Sequence, residues 1–327
     1  MKETFNTLHR IVADAEPNIC EITVIKDHTI VYEDYWHGFQ KGDALNVMSV
    51  TKSVIALLTG IAIDKGYIEN VDQKVLDFFP SYTIKRGEKT IQQVTIRHLI
   101  TMSAPYKYRS EPWTKVCTSD DWTRAALDLL GGRSGITGEF KYSTLGIQIM
   151  VGILENASGM KALDFANTYL FLPLGIPKHV NHSDSSKEDQ FDFLMNKNPR
   201  KNEWYSDPHS SVTAGWGLTL SAADMAKLGA MCLNNGVYQD QQILSAKWLT
   251  QMTTPYRDLD ERYGNMSYGF LWWITDKEKH IYAAIGDGGN VIYVNPEKNI
   301  TVGVAATFKP RIFDRVEFIE REIIPHF

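Results

Sequence analysis

Residues 48–66 read MSVTKSVIALLTGIAIDKG, and apolar side chains fill this stretch almost without interruption. Lys52 is its only charged residue until the last three positions. The pattern predicts a buried helix from about Val50 to Lys65, and Gly66 suits the left-handed backbone conformation that commonly ends a helix. A lysine inside such a helix needs an explanation, because lysine side chains are rarely fully buried without a partner.

Ser49 lies one helical turn before Lys52 and can be that partner. Residues three positions apart lie on the same face of a helix, so the lysine amine can reach the serine hydroxyl. Burial disfavours the ammonium form, which lowers a lysine pKa and lets the amine act as a base. The pair is typical of an activated serine nucleophile. A structural lysine that extends to the surface is the alternative.

The same spacing occurs a second time, at Ser158 and Lys161. No apolar run surrounds this lysine, and residues 156–159 have the pattern of a junction between two helices. We therefore predict a solvated lysine here and place the nucleophile at Ser49.

Length and composition are those of an ordinary globular chain, with 327 residues, 43% of them hydrophobic and 22% charged. A net charge of −5 and a pI near 6.0 give no electrostatic footprint for nucleic acid. No polybasic run favours a membrane surface. We expect a small-molecule substrate as the partner, with no nucleic acid and no membrane, and the oligomeric state stays open.

Cysteine usage and the N-terminal sequence indicate the compartment. Cys20, Cys117 and Cys232 are odd in number and widely spaced, so reduced thiols are expected. Residues 1–15 lack the apolar core of a signal peptide, and no run of about 18 apolar residues could cross a membrane. The expectation is a cytoplasmic protein.

Strand patterns are concentrated at the two ends of the chain, and helical patterns lie between them. Strands are predicted at 20–26, 28–36, 268–275, 279–285, 291–294 and 300–307. Helices are predicted at 3–15, 50–65, 96–102, 120–130, 145–156, 162–171, 222–233 and 313–324. Residues 182–211 are predicted to form a long polar loop, a kind of segment that is usually functional or mobile.

This order predicts an α+β fold, with an antiparallel sheet formed by both chain ends and flanked by helices. Residues 1–45 and 236–327 would form the sheet-containing lobe, and residues 46–235 a mainly helical lobe inserted into it. The two lobes together would make one catalytic domain, residues 1–327, with its site in the cleft between them.

The stretch at residues 48–66 resembles the nucleophile helix of the serine β-lactamase and penicillin-binding protein superfamily. The similar branch includes class C β-lactamases, DD-peptidases and related esterases and amidases. Three further segments agree in the same order: TIRHLITMS at 95–103, GWGLTLSAADMAKL at 215–228 and YGFLWW at 268–273. The resemblance implies a β-lactamase-like fold and acyl-enzyme chemistry, with Ser49 as nucleophile and Lys52 as base, and it implies no metal and no organic cofactor.

The second motif of that family is a tyrosine two residues before an asparagine, and it corresponds here to Tyr142 and Thr144. By resemblance, Tyr142 would relay a proton to the leaving group. A core aromatic residue with a satisfied hydroxyl is the commoner role for a tyrosine. Thr144 replaces the asparagine, which puts in doubt any substrate amide that the asparagine would hold.

The third motif lies on a strand beside the nucleophile, as lysine or histidine, then threonine or glycine, then glycine. Its best match is Asp287, Gly288 and Gly289, followed by Asn290. By resemblance, these residues border the substrate, and the backbone amides of Ser49 and Asn290 form the oxyanion hole. Asp287 replaces a cation that often holds a substrate carboxylate, which argues against efficient penicillin recognition. The same residues are also typical of a hairpin turn.

Other chemistry is poorly supported. The sequence has no G-x-S-x-G elbow, no phosphate-binding glycine loop and no H-E-x-x-H helix. His179, His182 and Asp184 have metal-ligating side chains, but scattered histidines in a polar loop are usually only a loop, and no metal is expected.

Together with the resemblance, these patterns predict a serine hydrolase that acts on a small ester or amide. A β-lactamase or DD-peptidase is the alternative among enzymes. A sensing or binding module that is acylated without turnover, or does no chemistry, is the alternative of another class, and the substitutions at Thr144 and Asp287 motivate it.

Overall fold

The computed structural model describes residues 2–184, 186–310, 312 and 315–327, apart from the side chains of residues 2–4 and 187. Its strands are β1 Ile19–Lys26, β2 Thr29–Tyr35, β3 Leu45–Asn46, β4 Val180–His182, β5 Glu203–Tyr205, β6 Thr219–Leu220, β7 Val237–Tyr238, β8 Gln241–Gln242, β9 Arg257–Asp258, β10 Ser267–Tyr268, β11 Trp273–Asp276, β12 Ile281–Gly286, β13 Asn290–Asn295 and β14 Ile300–Ala306.

Eight of these strands form one antiparallel sheet in the order β2-β1-β14-β13-β12-β11-β10-β9. Strand β1 from the N-terminal end pairs with β14 from the C-terminal end, with Val24 opposite Val302. The β1–β2 hairpin closes through Asp27 and His28, which both have positive φ, as a tight two-residue turn requires. The α+β fold with a sheet made from both chain ends is confirmed, whereas the division into two lobes stays a prediction.

The α-helices are α1 Lys2–Ala15, α2 Val50–Asp64, α3 Ile96–Ile100, α4 Trp113–Cys117, α5 Trp122–Leu129, α6 Ile149–Ser158, α7 Ala162–Ala166, α8 Lys187–Met195, α9 Ala222–Leu233, α10 Ala246–Met252 and α11 Val316–Phe318. Single turns of 3₁₀ helix lie at Val75–Phe78, Thr90–Gln93, Gly146–Gln148, Leu172–Leu174, Glu261–Tyr263 and Ile324–His326. Two π-helical segments, Asn167–Phe171 and Ile319–Ile323, continue α7 and α11. No helix among the described residues is both long enough and apolar enough to span a bilayer.

Helices cover both faces of the sheet, which is why β12, β13 and β14 are buried along their whole length. Helix α9 packs on β14, β13 and β1, and α2 packs on β12 and β13. On the opposite face, the Tyr293 hydroxyl donates to Glu320, and the Phe5 ring from α1 meets the Tyr32 ring edge-on at 5.1 Å. The end of β12 therefore lies beside the start of α2.

Several predicted elements differ from the observed ones. The predicted loop at 182–211 contains α8 and β5, so this prediction is wrong. The predicted strand at 268–275 is two strands, β10 and β11, because the chain turns between them at Leu271, where φ is +59°. The predicted helix at 313–324 begins in α11, and its positions 313 and 314 lie outside the described residues.

Candidate active site

Ser49 and Lys52 meet at the first turn of α2. Ser49 is the N-cap residue of this helix, and Lys52 is only 1% exposed. The Lys52 ammonium nitrogen donates to Ser49 Oγ at 2.9 Å and to the Gly215 carbonyl at 2.7 Å. The structure therefore brings the predicted nucleophile and base into direct contact, with the serine half-exposed and the lysine buried.

Burial lowers the pKa of Lys52 to about 7. Loss of water around the ammonium group is the largest cause, and the carboxylates of Glu111 and Asp287 partly oppose it. A large fraction of the lysine is therefore neutral near pH 7. A neutral amine at 2.9 Å from a serine hydroxyl can take the hydroxyl proton.

The loop that precedes Ser49 is fixed by side-chain hydrogen bonds. Asn46 Oδ1 accepts from the amides of Met48 and Gly217, at 3.0 and 3.1 Å. Thr51 donates its hydroxyl to the Met48 carbonyl at 2.7 Å. These bonds hold the loop before Ser49 against residues 215–217. The first of these residues, Gly215, accepts from Lys52 through its carbonyl.

Tyr142 completes the group around the serine. Its ring centre lies 4.8 Å from Lys52 Nζ, and its hydroxyl is close enough to the Ser49 side chain for the serine to affect the pKa of the phenol. Burial raises the pKa of Tyr142, and the contact with Ser49 opposes this only in part. The phenol is therefore protonated at neutral pH and can donate. Stacking on Trp273, with 6.0 Å between ring centres, fixes the ring.

Glu111 organises the turn that carries Tyr142. Its Oε1 accepts from the Ser143 hydroxyl at 2.9 Å and from the Leu145 amide at 2.8 Å. Ser143 is fully buried, and its oxygen also accepts from the Gly146 amide at 2.8 Å. Sequence reasoning missed Glu111, and no motif marks it, because the carboxylate arrives from a separate loop.

Thr144 lies next to the residue that holds Lys52. A Cβ atom added to Gly215 would be 2.5 Å from Thr144 Cγ2, so the threonine methyl packs directly on this glycine. The Gly215 carbonyl was also missed from sequence, although the segment around it carries the family resemblance. Thr144 therefore borders the site through its methyl group.

The strand beside the nucleophile comes closest at Gly286, the last residue of β12. A Cβ atom there would be 2.3 Å from the Val47 carbonyl oxygen and 3.0 Å from the Ser49 amide nitrogen. Only glycine fits this approach. The glycine that borders Ser49 is thus Gly286. The sequence match places the final glycine of the motif three residues later, at Gly289.

Gly288 and Gly289 instead form the turn between β12 and β13. Both have φ near +84°, a conformation that favours glycine. The Gly288 amide donates to the Ile312 carbonyl at 3.0 Å, and the Gly289 amide donates to the Gly286 carbonyl at 3.1 Å. Both amides already have partners, and β12 and β13 pair on either side of these glycines, so the segment is a hairpin turn.

Asn290, the first residue of β13, belongs to the ladder and not to the surroundings of Ser49. It pairs with Gly286 across the β12–β13 ladder, and it is fully buried. Its side chain accepts from the Ala306 amide at 3.0 Å and donates to the Asp287 carbonyl at 2.9 Å. The structure therefore assigns Asn290 to the support of the turn, and the predicted oxyanion amide at this position is corrected.

The amide of Asp287 is better placed. Gly286 is the last residue of β12 and packs against the Ser49 amide nitrogen, so the next amide along the chain, that of Asp287, lies near Ser49. The pairing of β11 with β12 ends at Ala283, so this ladder does not use the Asp287 amide. The Asp287 side chain is exposed and close enough to Lys52 and Tyr142 to affect both pKa values.

The second serine and lysine pair lies apart from this centre. Ser158 donates to the Leu154 carbonyl at 2.6 Å. Lys161 is 46% exposed and donates to the His209 carbonyl at 3.0 Å. The prediction of a solvated lysine is confirmed.

Of the three residues considered as metal ligands, His179 already has a backbone carbonyl within hydrogen-bonding distance of each ring nitrogen. Its ring nitrogens lie 3.1 Å from the Pro177 carbonyl and 2.7 Å from the Thr219 carbonyl, and the residue is fully buried. His182 and Asp184 do lie close together, with 3.5 Å between His182 Nε2 and Asp184 Oδ1.

Comparison with known proteins agrees with this site. Residues 20–321 match the family model described as Beta-lactamase. The chain is 24% identical over 301 residues to 6-aminohexanoate-dimer hydrolase of Paenarthrobacter ureafaciens. This alignment covers 85% of this chain and 70% of that protein. A solved penicillin-binding protein homologue from Caulobacter crescentus has a TM-score of 0.73 at 14% identity and covers 99% of this chain and 98% of its own. A solved family VIII carboxylesterase has a TM-score of 0.71 at 14% identity, and the superposition covers 99% of this chain and 97% of the carboxylesterase.

The fold, the order of the motif segments and the match over residues 20–321 agree with one another. The prediction of a β-lactamase-related protein is therefore confirmed, and the chain belongs to the Beta-lactamase family.

Proposed function

We propose that this chain hydrolyses a small ester or amide through an acyl-enzyme on Ser49. The observation that carries the proposal is the 2.9 Å contact of Ser49 Oγ with the amine of buried Lys52, which in turn lies 4.8 Å from the centre of the Tyr142 ring. Such a pairing activates a serine for attack on a carbonyl carbon. It needs neither a metal nor an organic cofactor.

The reaction follows from the positions of these groups. Ser49 Oγ forms a bond to the substrate carbonyl carbon while its proton passes to the Lys52 amine. The amides of Ser49 and Asp287 hold the oxyanion, and two such donors stabilise the transition state by several kcal/mol. Tyr142 donates a proton to the leaving alcohol or amine as its bond breaks, and water then releases the acid from Ser49.

The charge of the cleft favours a substrate with an amine. Glu111 and the exposed Asp287 both act on Lys52, so two carboxylates lie near the reaction centre. A substrate carboxylate beside Asp287 would be repelled, and an ammonium group would be attracted. The similar hydrolase from Paenarthrobacter ureafaciens is named for a dimer of an amino acid.

A matched pair of substrates tests this class. We expect the p-nitrophenyl ester of 6-aminohexanoic acid to have a higher kcat/KM than p-nitrophenyl hexanoate, which lacks the amine. Asp287→Asn should reduce kcat/KM for the amino ester by about tenfold, equivalent to about 1.4 kcal/mol, and leave the neutral ester within about twofold. Asp240→Asn, an exposed carboxylate in the turn between β7 and β8, is the matched control.

Two results would contradict the proposed substrate class. One is an equal loss of kcat/KM for the amino ester and the neutral ester in Asp287→Asn. The other is rapid hydrolysis of nitrocefin, which carries a carboxylate next to its β-lactam ring and would favour the β-lactamase alternative. Stable acylation without turnover of any ester or amide would favour the sensing module.

We also propose that the enzyme works in the cytoplasm on this small-molecule substrate, without nucleic acid or membrane. The free thiols of Cys20, Cys117 and Cys232, two of them buried, support a reducing compartment. Fractionation of source cells with an antibody against the chain tests this, and recovery outside the cytoplasm would contradict it.

A further inference from the structure

A second group of chemically active side chains lies in the segment that follows β4. His182 ends β4, Asp184 follows it, and Asp189 lies in the first turn of α8. Each offers one ligand atom, and these three atoms all lie within 4.8 Å of one another. None of these residues belongs to the group around Ser49.

Two of these atoms face each other without a hydrogen bond. His182 Nε2 and Asp184 Oδ1 are fully buried and have no hydrogen-bond partner among the described residues. They lie 3.5 Å apart, and His182 Nε2 lies 3.9 Å from Asp189 Oδ1. Both distances are long for a good N–H···O hydrogen bond. They are close to the separation of about 3.4 Å between two ligands of a tetrahedral ion with bonds of about 2.1 Å.

Neighbouring side chains hold these ligands as the second layer of a metal site does. The Tyr205 hydroxyl donates to Asp184 Oδ2, which leaves Oδ1 directed at His182. Glu203 Oε2 lies 3.0 Å from the other ring nitrogen, His182 Nδ1. A carboxylate behind a ligating histidine is a common arrangement. The Phe193 ring stacks on the imidazole with 4.6 Å between ring centres.

The charge of the cluster also calls for a cation. Asp184, Asp189 and Glu203 contribute three carboxylates, and Arg200 lies 3.8 Å from Glu203. Carboxylates are therefore concentrated around the His182 ring, and their charge favours a cation at the ligand atoms.

We propose that His182, Asp184 and Asp189 bind one divalent cation of the zinc class, with water at the remaining position. One imidazole and two carboxylates form a ligand set that zinc accepts. The ion would connect the end of β4 to α8 and so hold together the segment that sequence alone predicts as a loop.

This segment supports the nucleophile loop. Asn196 caps the C-terminal end of α8, and its side chain accepts from the Asn46 amide at 2.8 Å and donates to the Asn46 carbonyl at 2.9 Å. Asn46 lies three residues before Ser49. The bound ion therefore has a structural role in this account, and it takes no part in the reaction at Ser49.

Zinc titration of the full chain tests the site. The protein is treated with a chelator, dialysed, and titrated with ZnCl₂ by isothermal calorimetry, and its melting temperature is recorded with and without zinc. We expect one equivalent to bind and the melting temperature to rise. Asp184→Asn and Asp189→Asn should each weaken zinc binding at least tenfold, with an unchanged circular dichroism spectrum.

Asp192→Asn is the matched control, since this exposed carboxylate lies on the same helix and outside the cluster. It should bind zinc like the unmodified chain. Zinc binding that survives unchanged in Asp184→Asn and Asp189→Asn would overturn the proposal. A melting temperature that zinc does not change would also overturn it.

Discussion

In the proposed mechanism, Lys52 determines the pH at which Ser49 can react, because only the neutral amine can accept the serine proton. Burial lowers the pKa of Lys52 to about 7, so its neutral fraction rises about tenfold per pH unit below pH 7 and levels off above pH 8. We expect kcat/KM for a neutral ester to rise with pH through a midpoint near 7. Stopped-flow measurement of the acylation burst from pH 5 to 9 checks this.

Two lysine variants make the pH profile specific. Lys52→Met should abolish the burst, whereas Lys161→Met, at the solvated second pair, should keep both its size and its midpoint. A burst rate that is constant from pH 5 to 9, or that falls with rising pH, would contradict a role for Lys52 as the base.

The sequence identifies those site residues whose side chains lie close together along the chain. Ser49 and Lys52 follow from helical spacing and the apolar run around them. Glu111 and the Gly215 carbonyl reach the site from distant loops, so no spacing points to them. The sequence also does not distinguish Gly286 from the two glycines of the turn that follows it, although only Gly286 packs against the Ser49 amide.

Between elements, Glu21 of β1 connects the sheet to the start of α9. Its Oε2 accepts from the Ala222 amide at 2.9 Å, and burial raises the pKa of this carboxyl to about 8. The folded chain thus keeps a proton that the unfolded chain releases near pH 4.5. This contribution to stability is present below pH 4.5 and is lost as the pH rises towards 8.

Glu21→Gln should remove this pH dependence. The unmodified chain is expected to lose up to about 1.4 kcal/mol of unfolding free energy per pH unit between pH 5 and 8 through this group. Urea unfolding at pH 5, 6.5 and 8 measures it. Glu278→Gln, at an exposed position, should follow the unmodified chain. Equal slopes for Glu21→Gln and the unmodified chain would count against a protonated Glu21.

Elements with a strong periodic pattern were predictable and the others were not. Helix α2 is mostly apolar and is buried from Val50 to Ala62, and α9 follows the Ser221 cap, whose side chain accepts from the Asp224 amide. Helix α8 has the sequence KEDQFDFLM, in which the apolar residues come late, and exposed Phe191 and Leu194 break the expected amphipathic pattern. Its stability depends on contacts with distant residues, which a local pattern does not contain.

The two ends of the whole chain meet at the turn beside the active site. Asn18, just before β1, donates to the Gly288 carbonyl at 2.9 Å and to the Thr307 carbonyl at 2.8 Å. Arg315, near the C-terminus, packs its side chain against Gly289 and pairs with Glu16. Closure of the sheet by both ends therefore also fixes the position of Asp287.

Asn18→Ala tests this connection. Removal of the side chain leaves two carbonyls without a donor, which should lower the unfolding free energy by about 1–3 kcal/mol. A less rigid turn should lower kcat for a neutral ester several-fold and keep the pH midpoint near 7. Asn156→Ala, which removes an exposed hydrogen bond to the Phe78 carbonyl, is the control and should change neither quantity much. Unchanged kcat in a destabilised Asn18→Ala would contradict the link to the site.

The overall architecture was predictable because strand patterns occur only at the chain ends and must pair to satisfy their backbone groups. The order of the eight strands was not predictable from these patterns. Neither was the contact of Asn18 with Gly288, which joins residues 270 positions apart.

Acylation of Ser49 is the central claim, and intact-mass spectrometry after treatment with a fluorophosphonate tests it most directly. We predict one adduct per chain, its absence in Ser49→Ala, and its full retention in Ser158→Ala, which alters the second serine and lysine pair. A chain that forms no adduct, or an adduct that persists in Ser49→Ala, would contradict the account.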